Sequence, residues 1–446
     1  MTKLLNYSQD DLYQLAIDVN KLIKTKGASQ SDVEIDIDSG TSVSVRLEKL
    51  ESVSLNNDKS MTITVYFGKK RGIATTSDFS KSSILACIEA ACDIAKFTGE
   101  DKAFGLAESS LFPKKEIELD LFHPYEGTQD EMVKKALKAE KAALTFDEKI
   151  KNSEGVNFSS SKNLFVQANS NGFIGGFPSS RHTISCSVIA KDHSGMQRDY
   201  SYSNARQIND LDSLEEVGKS SAKRALMRLQ PKPIKTGRYP VIFESRIATS
   251  LISSLVSAVS GTNQYRKTSF LLNSLNKKIT SESLTIHEDP YLKNGNATTY
   301  FDGDGVFVKP RVVVDKGYLN SYFLSSYSAR RLGMKTTGNA GGPHNLVADL
   351  SNINFETLLK KMNRGLVVTE LLGHGLNMVT GDYSRGVAGF WVEEGIITHP
   401  VEEITIAGNM KDMLLNISQT ANDVYSNGSE YIGSVLIEDM TVAAGS

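Results

Sequence analysis

The chain has 446 residues, enough for two or three domains with cores of their own. Apolar residues make up 40% and charged residues 23%, an ordinary globular balance, and a net charge of −2 leaves no broad attraction to nucleic acid or to a membrane surface. Three cysteines, Cys87, Cys92 and Cys186, form no Cys-x-x-Cys pair and exclude a disulfide framework. The N-terminus reaches Asp10 and Asp11 too soon for a signal peptide, and no apolar run approaches the ~20 residues needed to span a bilayer. A reducing cytoplasm is the expected location.

Along the chain, Ser8 to Lys26 reads as a helix capped by Ser8, with Leu12, Leu15, Ala16, Val19, Leu22 and Ile23 on one face. Three alternating segments follow, at Val33–Ile37, Val43–Leu47 and Met61–Phe67, as expected of antiparallel sheet with one wet face. Helical spacing returns at Ser80–Phe97, with Ile84, Leu85, Ile88, Cys92, Ile94 and Ala95 directed inward. Residues 99–126 read as a connector, and Thr128 to Asp147 as a long helix. Strands are expected at Asn163–Ala168, Gly172–Phe177, His182–Ala190 and Tyr200–Arg206, the first two joined by a tight turn at Asn169–Gly172. A helix over Leu211–Leu229 ends before Pro231 and Pro233, which mark a boundary. Beyond it, Tyr239–Phe243 reads as a strand, and Ile247–Ser260, apolar with serines and no charge, as a helix buried on most sides. Short strands and Gly-containing turns make the remainder mostly β. The expected fold is α+β: an N-terminal α+β domain (1–105), a central α+β domain (106–232) and a C-terminal, mostly antiparallel β domain (233–446) with a buried helix.

The densest chemistry lies between Gly365 and Met410. Leu366–Val368 reads as a strand leading into a glycine-punctuated loop that presents Glu370, His374, Asp382, Tyr383 and Arg385. Strands at Gly389–Val392, turning at Glu394-Gly395, and at Glu403–Ala407 follow, and a helix can start at Gly408-Asn409. The runs Thr380-Gly-Asp-Tyr-Ser-Arg-Gly386, Gly389-Phe-Trp-Val-Glu393 and Pro400-Val-Glu-Glu-Ile-Thr-Ile-Ala-Gly-Asn409 closely resemble the PmbA (TldE) branch of the TldD/PmbA family, known as modulators of DNA gyrase and as a metalloprotease system. Thr337-Gly-Asn-Ala340 and Asn345-Leu346 share the resemblance. It implies a cytoplasmic heteromeric complex of TldD-type and PmbA-type subunits that trims unfolded or modified peptides.

TldD-type chains of that family carry His-Glu-x-x-x-His on a helix and a later Cys as third zinc ligand. Two His one helical turn apart face the same way, and the Glu activates water. The corresponding helix here, Ile247–Ser260, contains no His, Glu or Cys, and the last third of the chain contains no Cys. The resemblance therefore implies a subunit without its own metal, zinc in the TldD-type partner, and a role in completing the substrate channel for extended peptides. A homodimer is the expected form when the chain is alone. His287-Glu288-Asp289-Pro290 opens like a zinc helix but lacks a second His and meets a proline. Thr369-Glu370-Leu-Leu-Gly-His374-Gly copies a His-Glu-x-x-Gly-His-Gly pattern with Thr for the first His, so Glu370 and His374 are candidate catalytic or metal residues only if the segment is helical. Gly333 to Asn345 superficially resembles a phosphate loop but lacks Lys-Ser/Thr after the second Gly, and a loop lining the cleft or packing on the partner fits better. Asn339, His344, His374, Asp382, Tyr383 and Arg385 are the expected substrate- or partner-binding residues. Arg385 can fork onto a carboxylate, and Tyr and Arg are common interface anchors. Two alternatives stand beside this reading: a self-sufficient metallopeptidase built on Glu370, His374 or His344, and a non-enzymatic regulator of DNA gyrase. No membrane or nucleic-acid partner is expected.

Overall fold

The computed structural model describes residues 3–425 and 427–444. A short hairpin, β1 (Lys3–Leu4) and β2 (Tyr7–Ser8), leads into α1 (Gln9–Thr25). Ser8 and Asp11 form a reciprocal cap at the start of that helix. Two very long strands follow, β3 (Gln30–Arg46) and β4 (Lys49–Phe67), then β5 (Lys70–Thr76) and α2 (Lys81–Phe97). After the irregular connector come α3 (Gln129–Leu144), β6 (Ile150–Asn169), β7 (Ile174–Asp192), β8 (Gly195–Ala205) and α4 (Leu214–Met227). The six strands β3 to β8 make one antiparallel sheet in the order β5-β4-β3-β6-β7-β8.

The regions expected as separate N-terminal and central units thus share a continuous sheet, joined where β3 pairs with β6 from Asp32↔Asn169 to Val45↔Val156. At about 3.3 Å per residue, β3 runs for roughly 55 Å, long enough to serve two cores. Val33, Ile35 and Ile37 pack under α1 and α2, with Ile63, Leu164 and Val166. Val43 and Val45 pack under α3 and α4, with Phe158, Ile184 and Cys186. Between them Asp38 to Ser42 carry no apolar residue. That polar middle made one strand read as two. Ile94, expected inward, is 47% exposed; Ala91 joins the expected Ala95 on the buried face instead.

The C-terminal region is built from β9 (Gly237–Phe243), α5 (Ser245–Ala258), α6 (Gly261–Arg266), β10 (Ile286–Asp289), β11 (Arg311–Asp315), β12 (Tyr318–Leu319), α7 (Ser326–Leu332), β13 (Asn345–Ala348), α8 (Phe355–Met362), β14 (Gly365–Leu372), β15 (Asp382–Glu393), β16 (Ile396–Asn409), α9 (Met410–Leu415), β17 (Ile417–Thr420), β18 (Glu430–Tyr431) and β19 (Val435–Ala443). One sheet runs β16-β15-β14-β9-β19-β17, and β16 also pairs with β19, so the sheet closes on itself. A second runs β12-β11-β10-β13-β18. β9 and β14 are parallel neighbours buried on both faces. Their continuous apolar runs Val241-Ile-Phe243 and Leu366-Val-Val368 follow from that. On one side Val241, Phe243, Leu366 and Val368 meet α5; on the other Ile242 and Val367 meet α8. At Gly389 an added Cβ would lie 1.9 Å from the Val367 carbonyl oxygen, so only glycine lets β15 approach β14 there.

Candidate functional site

β9 ends at Phe243 and α5 begins two residues later, at the side of the C-terminal half of β14. The helix buries Ala248, Leu251, Ile252, Leu255 and Ala258 against the sheet. Its other face carries Thr249, Ser250, Ser253, Ser254 and Ser257, which line an open cleft of about 460 Å³ with Arg246 and Arg385 at its border. The serines expected to be buried therefore face a cleft. Some hydroxyls are used locally: Ser254 Oγ donates to the Ser250 carbonyl at 2.7 Å, and Ser253 Oγ to Glu430 Oε1 at 3.3 Å.

A narrower cavity of about 240 Å³ adjoins this cleft and shares Arg246, Ile247 and Leu371 with it. Its floor is an ion-pair network. Arg224 meets Glu244 at 2.9 Å and Asp199 at 3.3 Å; Arg228 meets Glu370 at 2.5 Å and Asp199 at 3.6 Å. Burial alone would lower the pKa of Arg224, but Glu244 and Asp199 override it and raise it. Arg246 lies over the rings of Tyr200, Tyr202 and Tyr425, at 4.8, 5.9 and 5.3 Å from their centroids. Arg246 and Arg385 have no carboxylate partner among the described residues, whereas Arg224 and Arg228 do. The combined groove offers hydroxyls and two uncompensated positive charges.

The predicted site residues separate into three places. Glu370 lies on β14, not in a loop, and its carboxylate is held by Arg228. His374 is exposed in the following loop; the segment is strand and then loop rather than helix, so the one-turn pairing of Glu370 with His374 does not form. Asp382, Tyr383 and Arg385 are also on a strand, β15, rather than in a loop. Asp382 accepts from Thr380 Oγ1 at 2.7 Å and from Asn409 Nδ2 at 3.3 Å. Tyr383 is 5% exposed. Burial raises its pKa, while the adjacent Arg385 guanidinium pulls the other way, although no well-formed hydrogen bond reaches the hydroxyl.

Asn339 and His344 are both buried around Glu288, itself 2% exposed. Asn339 Nδ2 donates to Glu288 Oε1 at 2.7 Å, as does the His344 backbone N–H at 2.8 Å; His344 Nδ1 lies 2.9 Å from the same oxygen, and Arg311 Nε donates to Oε2 at 2.6 Å. Burial pushes the Glu288 pKa up, but His344 and Arg311 outweigh it and bring it down to about 2. This cluster holds the 337–345 loop to β10. Sequence reasoning missed Arg246, Arg224 and Glu244. The one signal for Arg246 is its place beside the start of an otherwise uncharged helix.

Zinc is held by imidazole nitrogen, thiolate or carboxylate. The α5 side chains on the cleft supply neutral hydroxyls, the apolar Ile247 and the cationic Arg246, so this donor set does not fit zinc. No group of three or more His, Cys, Asp or Glu side chains able to hold a metal occurs among the described residues.

Three family models cover most of the chain: PmbA/TldA metallopeptidase domain 1 at 32–95, its central domain at 122–229 and its C-terminal domain at 236–444. Metalloprotease PmbA of Escherichia coli O157:H7 is 45% identical over 420 residues, 94% of this chain and 93% of that protein. A metalloprotease PmbA homolog of Haemophilus influenzae is 41% identical over 443 residues, 99% of this chain and 98% of that one. The crystal structure of a Bacteroides thetaiotaomicron protein described as a modulator of DNA gyrase superposes with a TM-score of 0.92 at 26% identity, covering 98% of this chain and 99% of that one. With matches of this length in every region, the chain belongs to the PmbA/TldD metallopeptidase family, on its PmbA-type branch.

Proposed function

We propose that this chain is the subunit of a cytoplasmic heteromeric metallopeptidase that shapes the peptide channel, while a TldD-type partner holds zinc and performs hydrolysis. The observation carrying this reading is the cleft face of α5. Where a TldD-type chain needs two imidazoles and a carboxylate, this helix presents Thr249, Ser250, Ser253, Ser254 and Ser257. Hydroxyls and the uncompensated Arg246 and Arg385 suit the binding of peptide carbonyl and carboxylate oxygens. An extended peptide can also add to an open sheet edge, where main-chain bonds tolerate many sequences. The closed C-terminal sheet has little edge to offer, but β18 ends the five-stranded sheet and borders α5 through the Ser253–Glu430 contact.

The test is to purify this chain and a TldD-type chain separately and together, and to assay cleavage of an unstructured peptide. Cleavage is expected only in the mixture, with zinc recovered in the TldD-type chain. Chelator-sensitive cleavage by this chain alone would overturn the proposal and favour a self-sufficient metallopeptidase.

A further inference from the structure

A third cavity, of about 420 Å³, opens where the end of β8 meets the 292–296 loop, β13 and β18. Its size falls in the ~300–1,000 Å³ range of small-ligand pockets. Leu292, Val347, Ala348 and Val424 give it an apolar wall, with Leu350 on the rim. Its polar side is unusual. Arg206 is 7% exposed. Its Nη1 donates to the Ser180 carbonyl at 3.2 Å and its Nη2 to the Asn296 carbonyl at 2.9 Å, while Nε is buried with no acceptor. No carboxylate pairs with it among the described residues. Burial, then the neighbouring Arg181, push its pKa down to about 10, with Tyr431 opposing. Buried charges are ordinarily paired, because the loss of hydration is otherwise uncompensated. Nearby, Asn294 Nδ2 donates to Asp210 Oδ2 at 3.0 Å, which occupies that rim carboxylate, but Asn294 Oδ1 is buried with no donor.

The pocket therefore combines the unneutralised Arg206, with Lys293 and the Asn294-bound Asp210 also in its lining, an unused carbonyl acceptor and an aliphatic wall. The last residue of a peptide presents the complement: a carboxylate, an N–H and a side chain. Two of the five Arg206 N–H groups are bonded to carbonyls, which leaves N–H donors and a charge for a carboxylate, whereas a polyanion would leave the Asn294 acceptor and the aliphatic wall unmet. β18 links this pocket to the α5 cleft, since Tyr431 lines the pocket and Glu430 meets Ser253.

We propose that this pocket binds the C-terminal residue of a peptide with an aliphatic last side chain, the carboxylate on Arg206, the N–H on Asn294 Oδ1 and the side chain against Val347 and Val424. The choice of a peptide rests on the function proposed above, but the test measures binding without cleavage, so the two can fail separately. The peptide Ala-Ala-Ala-Leu, as free acid and as C-terminal amide, is titrated calorimetrically into the full chain. The acid is expected to bind at least tenfold more tightly than the amide, and Arg206→Gln to abolish the difference. Because Arg206→Gln disturbs a buried site, Leu350→Trp, at a rim position that is 53% exposed, serves as the second variant. It is expected to weaken binding of the acid at least fivefold with an unchanged Tm. Equal binding of acid and amide by the parent chain, or no effect of Leu350→Trp, would overturn the assignment.

Discussion

Glu288 keeps its charge at 2% exposure because Arg311, His344 and Asn339 all converge on its two oxygens. Removing one member strands the others. Glu288→Ala leaves the Arg311 guanidinium partly buried without its counter-ion, and the expected loss of stability is roughly 3–5 kcal/mol, as for other broken buried pairs. Urea unfolding of variant and parent measures it; a loss below about 1 kcal/mol would mean the charge is solvated after all. This residue also marks where sequence reading stops. His287-Glu288 is visible as a fragment of a zinc motif, but Asn339 and His344 lie 51 and 56 positions away, and only packing brings them to the same carboxylate. Arg206 is hidden for the same reason, since an arginine without a counter-ion looks in sequence like any other.

Among the elements, capped amphipathic helices were the most legible. Ser8, Ser80, Thr128 and Ser213 each accept from a backbone N–H in the first turn of the helix they precede. The strands carrying Glu370 and Asp382–Arg385 were not, because local glycines and polar residues outweigh alternation when one face of the strand meets a cleft. The α3–α4 contact is a case in which a single atom decides. A Cβ at Gly218 would lie 2.1 Å from the Ala139 carbonyl oxygen, so α4 sits against the α3 backbone. Gly218→Ala gains helix propensity of ~1 kcal/mol but must separate the two helices. We expect a net destabilisation of about 1–3 kcal/mol, typical of overpacking. Thermal unfolding gives the sign, and a stabilised variant would show that the helices part without strain.

Across the whole molecule, the N-terminal sheet meets the C-terminal region at several places, among them the β8 tyrosines around Arg246 and, at the other half of the sheet, an aromatic cluster beside an acidic contact. Phe301 packs on Phe173 and Phe177, with ring centroids 4.9 and 5.9 Å apart, and Tyr300 joins them. Beside this cluster Gln167 Nε2 reaches both Asp32 oxygens, at 3.2 and 3.1 Å, and the Gly303 carbonyl at 3.0 Å. Asp32, Glu34, Asp302 and Asp304 crowd there, with Tyr66 and Arg71 nearby. Burial, then the charge of Glu34, raise the pKa of Asp32; burial, then Asp304, bring Asp302 up to about 7. Both folded pKa values exceed the unfolded ones. The stability these acids contribute is thus complete below about pH 4 and is lost as pH rises, for Asp302 through about 7. Glu288 runs the other way, with its contribution present above its unfolded pKa and lost as pH falls toward about 2. Asp32→Asn removes one ionisation from the interface while its amide oxygen can still accept from Gln167 Nε2. Between pH 5 and 8 the parent chain should therefore lose more stability than Asp32→Asn, so the variant's relative stability rises with pH. Urea midpoints at the two pH values measure this; parallel behaviour of the two proteins would show that Asp32 is already ionised in the fold, and that the acidic contact does not resist charge.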